Sequence, residues 1–249
     1  MVDATEKKEE KSPRAGALKS SLSIELHSRY AIHLWEGRRA EKTTEGQRKR
    51  PEIVSMPRVI QRAGMISRDA SADNPYADAL LIALENALAN ASATIHALVT
   101  ETDTALASLP ASVTLSDVVS VDPLNIGVFS RSPLGYRCVW LLVGYDQLAM
   151  KTFQALHYGL ISRQRKDQIL DNGRHAVRRV YGVVQNHRFV VVTRQDILNK
   201  TPAGQQAIAL LGEPDPAIMD GSLRSAFSPP LRSVPATSDP QPIAKGPLR

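Results

Sequence analysis

From Asn74-Pro75 to Pro110 the chain carries a run in which Leu84, Leu88, Ala91, Ile95, Leu98, Ala105 and Leu109 return at steps of three, four or seven. A period near 3.5 places these side chains on one stripe of a helix. Asn74 is a favoured N-cap, Pro75 is pre-shaped for the first turn, and Pro110 stops the run. Residues 75–109 at about 1.5 Å each form a rod of about 50 Å. A rod of that length commits the other elements to packing along it, in a helical hairpin or across a dimer seam.

Shorter helices are expected around it. Ser28 caps one with Tyr30, Ala31, Leu34 and Trp35 inward, stopped at Gly37. A short helix follows Pro57. Residues 134–158 are apolar all round at their start (Tyr136, Val139, Trp140, Leu141), which marks a central helix. Ser162 opens a helix over 162–184, Thr193 and Asp196 form a capping box, and Gly212 closes a helix from Ala203. Strand signals are few: the alternating 21–27, two runs at 112–121 and 126–130 around the Asp122-Pro123 turn, and the apolar 189–192, read as a buried strand. The expectation is a mainly α fold with a few short strands: one domain over 19–226, between a disordered tail at 1–18 and a Pro-rich disordered tail at 227–249.

The lone cysteine, Cys138, excludes an intrachain disulfide and reads as a small buried hydrophobe. No run approaches the roughly 20 apolar residues of a membrane span, and residues 1–12 lack the apolar core of a secretory signal. A cytoplasmic chain without a membrane partner is expected.

Charge is sorted along the chain. Residues 1–62 carry net +5, 63–159 net −5 and 160–200 net +6. Two basic blocks around an acidic one suit a polyanion held on one face, because neutralised phosphates release counterions. The candidates in the first block are Arg38, Arg39, Arg48, Lys49 and Arg50, in a basic loop over 38–52. In the second, Arg163, Arg165 and Lys166 crowd a helix N-terminus whose dipole is already positive, a place for phosphate. Arg174 and Arg178 stand four apart, as do His175 and Arg179, while Arg188 and Arg194 bracket the apolar 189–192. With no aromatic residue among the loop cations, base stacking on single strands is disfavoured and duplex DNA suits the pattern better. The competing account pairs these arginines with the acidic long helix.

The six histidines are scattered without metal-site spacing, and no nucleophile elbow, Walker loop or dinucleotide glycine pattern occurs. No enzyme, cofactor or metal is expected.

Several stretches resemble the AcaB-like regulators of integrating conjugative elements and conjugative plasmids. They are Leu26-His27-Ser28-Arg29-Tyr30-Ala31 with Leu34-Trp35-Glu36-Gly37-Arg38; Asp73-Asn74-Pro75-Tyr76-Ala77-Asp78; and Ser132-Pro133-Leu134-Gly135-Tyr136-Arg137. Tyr145-Asp146, Val177-Arg178-Arg179, Val192-Thr193-Arg194-Gln195-Asp196 and Leu211-Gly212-Glu213-Pro214 complete the match, over roughly residues 20–230. The resemblance implies a DNA-binding regulator of transfer genes, with a ribbon-helix-helix type of recognition. Residues 21–66 and 189–212 could each supply such a strand-helix-helix unit, although Ser21, Ser23 and Glu25 are weak base readers. The expected function is a homodimeric duplex-DNA-binding regulator; the alternative is a non-catalytic protein–protein component of the transfer machinery.

Overall fold

The computed structural model describes residues 21–39, 52–185 and 187–230. The expected N-terminal tail, the basic loop's Arg48, Lys49 and Arg50, and most of the Pro-rich tail lie outside the described residues. Ten elements follow in order: β1 Leu22–Leu26, α1 Arg29–Glu36, α2 Met56–Ser71, α3 Pro75–Ala107, β2 Leu124–Val128, α4 Pro133–His157, α5 Arg163–Gln185, α6 Arg194–Leu198, α7 Pro202–Leu211 and α8 Pro216–Met219. The fold is mainly α with one small sheet, as expected.

The helix boundaries follow local chemistry. Ser28 Oγ accepts from the Ala31 N–H at 3.2 Å, Asn74 Oδ1 from Tyr76 and Ala77, and Ser132 Oγ from Gly135. Thr193 and Asp196 form the anticipated reciprocal box. Gly37 ends α1 at φ +74°, where a Cβ would lie 2.5 Å from the Ile53 carbonyl oxygen, so no other residue fits. The helix after Pro57 runs sixteen residues, longer than expected.

The long helix is the spine. α3 packs against α2, α4 and α5, and its stripe (Leu84, Leu88, Ala91, Ile95, Leu98) is buried inside this one chain. The stripe therefore needs no second copy to cover it, which removes the dimer-seam expectation. Across from it, Gly173 of α5 lets the Tyr145 ring of α4 approach to within 2.8 Å of where a Cβ would stand. Tyr145 is fully buried, with its hydroxyl donating to the Leu170 carbonyl at 3.0 Å. Cys138 is also fully buried, and its burial pushes the thiol up to about 12.

The strands depart from expectation. β1 pairs antiparallel with β2, Leu22 opposite Val128 and Leu26 opposite Leu124, instead of 112–121 pairing with 126–130. Burial explains the choice: Ile24, Leu26 and Val128 enter the core, whereas Val113, Val119 and Val121 stay exposed. Residues 189–192 form no strand, and Phe189 and Val191 are 53% and 77% exposed. The segment crosses the start of α3, where Asn74 Nδ2 donates to the Val190 carbonyl and the Arg194 N–H to that of Asp73. The 189–212 unit thus lacks its strand. In the 21–66 unit the strand is occupied by β2 of the same chain, and Ser23, Glu25, Asn125 and Gly127 are the exposed ribbon positions, without a cation. Near the end of the described residues, Phe227 packs beneath Arg137 at 4.9 Å, and Ser228 Oγ donates to Asp78 at 3.0 Å.

Candidate nucleic-acid interface

The two basic blocks meet at the mouth of the 38–52 loop. Arg38 and Ile53 exchange backbone hydrogen bonds of 2.8 and 2.9 Å, which brings the outgoing and returning chain together just after Gly37. One groove there is lined by Arg38, Arg39 and Arg58 with Glu52 and Ile53. A second groove shares Glu52 and Ile53 and is lined on its other side by His175, Arg178 and Arg179 of α5. Cations from the end of α1, the start of α2 and the C-terminal half of α5 therefore surround one spot. Arg39, Arg58 and Arg179 are exposed and Arg178 is half-buried. Glu52 pairs with Arg58 at 3.2 Å. Sequence reading missed Arg58, although Arg58 and Arg62 stand four apart on α2 and were a usable signal.

The remaining candidates are not part of this spot. Arg165 forms a fork with Glu101 of α3, Nε to Oε1 at 2.6 Å, and this bonding raises its pKa. Lys166 pairs with Asp167 at 2.7 Å, and that bond likewise raises its pKa. Arg174 pairs with Asp171 at 2.8 Å. The crowded N-terminus of α5 is thus largely neutralised within the chain, and Ser162 Oγ already accepts the Arg165 N–H at 3.1 Å. Arg163 stays exposed at that end and Arg188 beyond the other, with a helix of about 35 Å between them.

Arg194 must be taken off the surface altogether. Its guanidinium is buried, donating to Asp73 Oδ1 and Asp78 Oδ2, both at 2.6 Å, and to the Ile218 carbonyl. Burial alone would lower its pKa, but the bonds to Asp78 and Asp73 carry it upward. Asp78, fully enclosed, also accepts from Arg224 and Ser228, so one carboxylate ties α3, α6 and the C-terminal segment together. Asp146 does similar work on α4, accepting the backbone N–H groups of His27 and Ser28 at 2.9 and 2.7 Å.

Among the described residues no helix is long and apolar enough to cross a membrane, and no group of three or more His, Cys, Asp or Glu is placed to hold a metal ion.

Residues 14–232 match the family model described as "Transcriptional regulator AcaB", which sets the class as that of helical transcriptional regulators. The chain belongs to the AcaB family, as the motifs from Leu26 to Pro214 had suggested. A crystal structure of selenomethionine-containing AcaB from uropathogenic E. coli shares the fold, with TM-score 0.51 and 12% identity over 81% of this chain and 95% of that one. None of the curated proteins searched matches the chain.

Proposed function

We propose that this regulator binds duplex DNA through the surface formed by Arg38, Arg39, Arg178 and Arg179, with Arg58 and His175 at its margin. In this reading it acts as a homodimer on the transfer genes of an integrating conjugative element. The observation that carries the reading is the meeting of the loop mouth with α5 around Glu52 and Ile53. Cations that are distant in sequence gain nothing for folding by crowding together, whereas a phosphate backbone repays that arrangement through counterion release. The described ribbon offers no cation for base edges, so backbone contacts from the described surface favour positioning over base readout.

A mobility shift on duplexes from the element's own promoters, titrated with salt and challenged with unrelated duplex, tests the reading. With four phosphate contacts per protomer, log K should fall against log salt with a slope near −3.6 for each protomer of the dimer, at about 0.9 per contact. Arg178→Glu with Arg179→Glu should flatten that slope by about two. No shift at low salt would sink the reading. It would favour the second one, a protein–protein component of the transfer machinery, whose support is the neutralisation of Arg165, Lys166 and Arg174 within the chain.

A further inference from the structure

On another side of α2 the surface changes character. A stripe from Pro57 through Ile60 and Gly64 to Arg68 and Ser71 lines a groove of about 740 Å³, whose far wall is Phe129 and Arg131 from the turn between β2 and α4. Four turns of α2 make the groove about 21 Å long. The two walls come nearest each other at Gly64, where a Cβ would sit 3.4 Å from Arg131 Cβ. Ile60 is buried in the floor, while Met65 is 38% and Phe129 73% exposed. Among the described residues, the charged ones in the lining are Arg68 and Arg131. Arg68 reaches Asp69 only at 3.7 Å, and Arg131 has no ion pair among the described residues.

We propose that this groove docks an acidic amphipathic helix of a partner protein. Its apolar side chains would lie on Ile60, Met65 and Phe129, and its carboxylates against Arg68 and Arg131. The length and apolar floor suit a helix laid in a groove, read through anchors at i, i+3 or i+4 and i+7. Charge selects the occupant: a second copy would bring Arg68 and Arg131 against their own kind. Duplex DNA gains nothing from the exposed Phe129 ring, and the cations suited to phosphate lie elsewhere. Arg58 of α2 turns instead to Glu52, and Arg62 donates to the Gln185 carbonyl of α5 at 2.8 Å. One helix thus separates a phosphate-directed face from a protein-directed groove.

The test uses the full chain and a fluorescent sixteen-residue helical peptide with leucines on one face and glutamates on its flanks. The same peptide with lysine, and with glutamine, for every glutamate serves as comparison. Anisotropy should show the glutamate peptide binding at least tenfold more tightly than the lysine peptide. Arg68→Glu with Arg131→Glu should reverse that order, and Phe129→Ser should abolish binding of the glutamate peptide. Circular dichroism checks folding, and Arg68→Gln with Arg131→Gln, expected to erase the preference, replaces the reversal variant if that one unfolds. Equal binding of all three peptides, or of none, overturns the proposal. So does glutamate-peptide binding that these substitutions leave unchanged. If the groove variants lose duplex-DNA binding as well, the groove belongs to the nucleic-acid surface and the proposal fails, while the reading of the basic surface stands.

Discussion

At the scale of single residues, the motifs that signal the family are mostly joints. Asp78 and Arg194 form the deepest ion pair described, with side chains 0% and 8% exposed. Asp78→Asn leaves Arg194 and Arg224 enclosed without full compensation, and breaking such a pair costs about 3–5 kcal/mol. Urea unfolding should show that loss, whereas Arg179→Ala on the exposed face should stay within about 0.5 kcal/mol of wild type. A second joint is pH-sensitive. His187 Nε2 and Asp69 Oδ2 are both buried without a hydrogen-bond partner among the described residues, and burial pushes the His187 pKa below 6.5 and the Asp69 pKa above 3.8. As pH falls below 6.5 the unfolded chain takes up the His187 proton first, so stability drops until the folded pKa is passed. Asp69 works oppositely, the folded chain taking up its proton first as pH falls toward 3.8 and recovering stability there. Thermal melts from pH 7.5 to 5.5 should show the His187 loss, and His187→Gln should remove that part of it. Equal slopes for the two chains would overturn the assignment.

At the scale of elements, helix ends were legible and strand partners were not. Ser28, Asn74, Ser162, Thr193, Gly37 and Gly212 act within four residues of their own position, so sequence alone carries their message. β1 meets β2 about a hundred residues away, a choice fixed by which apolar faces the core accepts. The same locality explains the basic residues. Spacing put Arg174 and Arg178 on one face of α5, but Asp171 one turn back takes up Arg174, while Glu101 on α3 takes up Arg165. The α4–α5 contact yields its own prediction. Gly173→Ala gains about 1 kcal/mol of helix propensity, yet its methyl must enter space 2.8 Å from Tyr145 ring carbons. Overpacking typically costs about 1–3 kcal/mol, so the variant should be destabilised overall. An unchanged or raised melting temperature would mean that α4 and α5 are loosely packed.

At the scale of the whole molecule, charge sorting was the readable clue and its geometry the hidden part. The sequence showed two basic blocks; the fold brings one end of the first against the C-terminal half of the second and spends the second block's N-terminal half on internal ion pairs. A comparison of variants separates these populations. Arg165→Ala and Arg174→Ala should leave the salt dependence of duplex binding unchanged, whereas Arg38→Ala with Arg179→Ala should reduce its slope by about two per protomer. If all four substitutions act alike, the bound face is the whole of α5 and not its junction with α1 and α2.

The two-way bond between Arg38 and Ile53 has a practical consequence for anyone altering this chain. Both bonds run through main-chain atoms, so replacing the Arg38 or Ile53 side chain leaves the clasp in place. A proline at either position, lacking its N–H, would remove one of the two bonds. Charge at Arg38 can therefore be altered without releasing the end of α1 from the start of α2.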